Sequence, residues 1–79
     1  MTGRSLSHET RRDAGLSEPD LWLRYFALGG MRSPVDVRSY LQGTAVPTDH
    51  DHDVLAQALN ERFGELGRNH PVLYAGADR

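Results

Sequence analysis

Apolar residues gather in three stretches, separated by polar segments that carry glycine or proline: Leu21 to Leu28, Val35 to Leu41, and Val54 to Leu66. Each stretch follows a hydroxyl residue that has a carboxylate three positions later, in Ser17-Glu-Pro-Asp20, Ser33-Pro-Val-Asp36 and Thr48-Asp-His-Asp51. The hydroxyl can accept a hydrogen bond from an orphan amide of the first helical turn. The carboxylate can reach back to the cap's own amide and sits well against the positive helix end. The pattern predicts three helices, over 18–28, 34–42 and 49–66. Pro19 and Pro34 fall in first turns, where a missing amide costs little. Gly29-Gly30, Gly43 and Gly67 stop the helices. Leu16 and Leu21 have the spacing of a hydrophobic staple around the first cap.

The three helices differ in how their apolar residues are spread. At 100° per residue, Leu55, Leu59, Phe63 and Leu66 fall within about 80° of the helix 49–66, flanked by Ala56 and Ala58, which describes a one-sided core helix. Helix 34–42 places Val37, Tyr40 and Leu41 on one face and Asp36, Arg38, Ser39 and Gln42 opposite. Helix 18–28 spreads Leu21, Trp22, Leu23, Tyr25, Phe26, Ala27 and Leu28 over about 260°, with Arg24 its only polar member. A helix this apolar is either central in its own fold or shared with another chain. Trp22, Tyr25 and Phe26 are the expected anchors of such a contact and Arg24 its oriented polar group, since aromatic residues and arginine are enriched in interface cores.

Seventy-nine residues make one domain with a marginal core. There is no cysteine, so neither disulfides nor thiolate metal sites can support it. The expected organisation is a polar, disordered tail over 1–15, a three-helix domain over 16–75 and a frayed end over 76–79. Arg11-Arg12 in the tail read as solvated charge. Within the domain, Val72-Leu-Tyr74 is expected to pack as an extended arm. No apolar run approaches the ~20 residues of a membrane span, and 1–15 lacks the apolar core of a signal peptide, so a cytoplasmic protein is expected.

The net charge is −2, all nine basic residues are arginine, and from Ser17 onward six arginines face nine carboxylates, giving −3. That balance argues against a nucleic-acid surface. A helix-turn-helix reading is the alternative: helix 34–42 would read bases, with Arg32, Arg38 and Gln42 as contacts. Asp36 sits at the end that should attract phosphate, which counts against it. Asp49-His-Asp-His-Asp53 is the densest polar cluster. His50 and His52 are weak candidates for a metal site, because i,i+2 residues diverge on a helix, and the acids fit an ordinary dipole-complementing first turn. Two histidines among aspartates also have the composition of a pH sensor, although that pairing is commonplace on surfaces. No P-loop, nucleophile elbow, dinucleotide fingerprint or HExxH occurs, so no catalysis, metal or cofactor is expected.

The runs Leu21-Trp-Leu-Arg-Tyr-Phe-Ala-Leu-Gly-Gly30, Tyr40-Leu41 and Val54-Leu-Ala-Gln-Ala-Leu-Asn-Glu-Arg62 resemble short uncharacterised helical proteins of high-GC actinobacteria. The resemblance spans about Leu16 to Leu66. It implies a free-standing cytoplasmic helical protein with a regulatory role and carries no functional residue with it. The expectation is therefore an all-α interaction module, docking on a protein partner or forming a homodimer through helix 18–28.

Overall fold

The structure, a computed structural model, describes residues 5–67. The expected arm at 72–74 and the frayed end at 76–79 lie outside the described residues. Four helices are present: α1 His8–Asp13, α2 Glu18–Ala27, α3 Pro34–Gln42 and α4 Asp49–Glu65. The all-α class and the three expected helices stand, with boundaries shifted by a residue or less. Among the described residues no helix is long and apolar enough to cross a membrane.

The fourth helix corrects the expectation of a disordered tail. Ser7 caps α1, its hydroxyl accepting from the Thr10 amide at 3.2 Å. Thr10 is buried and donates to the Ser5 carbonyl at 2.7 Å, while Ala14 is fully enclosed in the core. Arg11 Nη1 turns back onto the Leu16 carbonyl at 2.7 Å. A helix of six residues does not persist in water by propensity. Tertiary contact holds this one: Arg62 of α4 donates from Nε to the Ala14 carbonyl at 3.0 Å, placing a cation at the negative end of α1.

Each predicted hydroxyl cap forms, with Ser17, Ser33 and Thr48 accepting from the amides of Asp20, Asp36 and Asp51. The reciprocal carboxylate bond is made in α3, where the Ser33 amide reaches Asp36 at 3.4 Å. The α2 terminus is closed by paired bonds from Gly29 to the Phe26 carbonyl and from Gly30 to the Tyr25 carbonyl, both 3.0 Å. Gly29 takes φ +98° there, a conformation that only glycine adopts readily.

The centre of the molecule belongs to α4, not to α2. Asp51, Val54, Leu55, Ala56, Ala58, Leu59 and Phe63 are all buried, an arc of about 200° on the wheel. Ala56 and Ala58, which looked like flanking residues, are fully enclosed. Their small side chains let neighbouring backbone approach α4 closely. Around it lie Leu21 and Tyr25 of α2, Val37 and Leu41 of α3, and Ala14 and Leu16 from the α1 side. Only Leu21 and Tyr25 of α2 are buried.

A charged clamp joins three helices on the far side of α2. Arg24 donates to both carboxylate oxygens of Glu65 at 2.9 and 2.8 Å, and Arg62 reaches the same carboxylate at 3.2 Å while holding Ala14. These hydrogen bonds, that from Arg24 foremost, lower the Glu65 pKa from 4.5 to about 2. The Glu65 bond in turn raises the Arg24 pKa. A depressed carboxylate contributes stability above its unfolded value. That contribution is lost as pH falls through the folded value, because the unfolded chain binds the proton first. Thermal unfolding followed by circular dichroism is therefore expected to drop between pH about 4.5 and about 2, and less steeply in Glu65→Gln than in the parent. Equal slopes for the two proteins would mean that the clamp adds nothing in solution.

Candidate interaction surface on α2 and α3

Pro19, Trp22, Leu23 and Phe26 occupy positions i, i+3, i+4 and i+7 of α2, a spacing that aligns them in one stripe. The stripe faces outward. Leu23 is 57% and Phe26 58% exposed, and the Trp22 and Phe26 rings stack with centroids 5.2 Å apart and planes 19° from parallel. Trp22 is partly buried because its indole Nε1 donates to the Arg32 carbonyl at 2.8 Å, fixing the ring across the α2–α3 turn. A stripe of this kind is the half of a helix–helix seam that a partner would complete.

Beside the stripe lies a groove of about 320 Å³ between α2 and α3. Pro19, Trp22 and Leu23 form one wall, and Pro34, Val37 and Leu41 the other. The second set again follows i, i+3 and i+7, so both walls are helical faces turned toward one channel. Glu18 and Arg38 complete the lining and bridge it with a 2.7 Å ion pair. That hydrogen bond is the main reason the Glu18 carboxyl lies below its usual range. His8 Nδ1 approaches the same carboxylate at 4.0 Å.

Two of the four expected anchors are not surface groups. Tyr25 is fully enclosed, and its hydroxyl is a hub: it donates to Asp51 at 3.2 Å and accepts from the amides of Met31 at 3.1 Å and Arg32 at 2.9 Å. Burial is the largest influence on its phenol and raises its pKa. Arg24 is committed to Glu65 on the flank of α2 away from the stripe. Leu23, which the sequence reading did not single out, takes their place beside Trp22 and Phe26. Its position at i+4 from Pro19 and i−3 from Phe26 was the signal.

The structure also places the residues of the other readings. Arg32 donates from Nε to Asp51 at 3.2 Å, and Arg38 is paired with Glu18. Two cations of the expected nucleic-acid face thus already meet carboxylates, while Gln42 is exposed at the end of α3. In the Asp49–Asp53 cluster, Asp51 turns inward. Burial opposes its ionisation, but hydrogen bonds from Arg32, Thr48 and Tyr25 prevail and lower its pKa. His50 is exposed, His52 is partly buried, and they flank Asp51 on a helix that sends them apart. Among the described residues no three His, Cys, Asp or Glu side chains are placed to hold a metal ion. Comparison with family models, curated proteins and solved structures gives no match for this chain.

Proposed function

We propose that this chain is a non-catalytic, cytoplasmic interaction module that binds a protein surface, its own or another's, through the outer face of α2. The observation that carries the reading is the exposed stripe Pro19–Trp22–Leu23–Phe26, fixed by the Trp22–Arg32 bond beside an apolar groove. A small domain with a marginal core gains little by leaving Leu23 and Phe26 in water, and contiguous exposed apolar residues mark contact surfaces. Support for a non-catalytic role comes from the best-placed ionisable groups. Asp51, Glu65, Arg24 and Arg32 are engaged in joining helices.

The reading is tested by a photo-crosslinking residue placed at Leu23 in the native cell, with Gln57 on the exposed side of α4 as control. A discrete adduct at position 23 and none at 57 is expected. Crosslinking that is equal at both positions, or lacking at 23, would remove the case for α2 as the binding face.

A further inference from the structure

Resting on that reading, we infer that the occupant of the α2–α3 face is a second copy of this chain, docked by two-fold symmetry. Three features of the face point to self-recognition. First, knob and hole adjoin: Leu23 and Phe26 protrude immediately beside the groove between α2 and α3. An isologous interface requires such self-complementarity, because the same patch must serve as both donor and receptor. A two-fold axis beside Leu23 carries the knobs of each copy into the groove of the other. Four helices, two from each copy, then enclose one apolar layer.

Second, the rim carries one charge of each sign. Glu18 belongs to α2 and Arg38 to α3, joined at 2.7 Å. Rotation by 180° brings the pair of one copy head to tail with that of the other, so that each carboxylate gains a second cation. An uncharged or single-sign partner would not use this alternation. Third, the size fits. The described residues span 28 × 28 × 21 Å, so the broad face offers on the order of 800 Å², about one partner's share of a standard interface.

Sedimentation equilibrium of the full chain from ~1 μM to ~1 mM tests the inference. A monomer–dimer equilibrium is expected. Leu23→Asp, at an exposed position, is expected to weaken it about 30-fold with an unchanged thermal melt. The charge test is specific to a two-fold dimer. Glu18→Arg and Arg38→Glu should each weaken self-association, since each makes the four rim charges alike in sign, and mixing the two variants should restore a heterodimer. A chain that stays monomeric at ~1 mM overturns the inference, as does a dimer indifferent to Leu23→Asp or a mixture no tighter than its components. A monomer that still gives a single foreign adduct at position 23 overturns the second copy alone and leaves the α2 binding face standing.

Discussion

Gly30→Ala is expected to unfold most of the population at physiological temperature. Gly30 is buried, and a methyl group placed there would overlap the ring carbons of Tyr25. The ring has no room to yield. Its hydroxyl is held by Asp51 and by two backbone amides, and the ring sits at zero exposure in the core. Overpacking at such a site costs about 3 kcal/mol, a large share of the stability of a domain this size. At roughly 4–8 °C per kcal/mol, the melting temperature should fall by about 12–24 °C. A double-mutant cycle with Tyr25→Ala identifies the cause. Tyr25→Ala alone should cost about 4 kcal/mol, and adding Gly30→Ala should then cost little, because the clashing ring has gone. Additive losses would show that the glycine serves some purpose other than making room for the ring.

The next largest effect is expected at Asp51. Its carboxylate receives Thr48 Oγ1 at 3.0 Å, Arg32 Nε at 3.2 Å and the Tyr25 hydroxyl at 3.2 Å, and it is 5% exposed. One buried anion thereby fixes the start of α4, the α2–α3 turn and the core tyrosine. Asp51→Ala strands the Tyr25 hydroxyl and the Arg32 guanidinium and should cost about 3 kcal/mol. Asp51→Asn retains one acceptor oxygen, so roughly half of that loss is expected in denaturant titration. The two variants should also blunt the fall in stability at low pH. The folded carboxyl lies below its model value of 3.8, and the unfolded chain would otherwise take up that proton first. If Asp51→Ala melted with the parent, the network would be a feature of geometry without energetic weight.

These two sites were hidden in the sequence for related reasons. Capping rules assign Asp51 to the amide of its own cap residue. The structure keeps the Thr48–Asp51 amide bond but diverts the carboxylate to two partners 19 and 26 residues away. No local pattern reports such partners. Tyr25 was visible as an apolar position, and the wheel could not distinguish the ring that enters the core from the rings that remain outside.

What local physics controls was legible: three hydroxyl caps, three glycine stops and helix boundaries within a residue. α1 escaped because its cap, Ser7, is followed at the third position by Thr10 rather than by a carboxylate. The flanking Leu6 and Leu16 and the stop at Gly15 were the available signal. The exchange of central and peripheral roles between α2 and α4 has a steric origin. Counting large apolar residues favours α2, but Ala56 and Ala58 let α4 approach its neighbours most closely, and closeness decides which helix takes the middle.

One consequence of this arrangement concerns how the protein can diversify. The side chains of α2 that hold the fold, Leu21, Tyr25 and Arg24, and those that meet solvent, Leu23 and Phe26, form disjoint sets on opposite sides of one helix. Drift at positions 23 and 26 can rewrite what the surface recognises without eroding thermodynamic fitness. Those two codons are therefore the natural starting point for a randomised library on this scaffold.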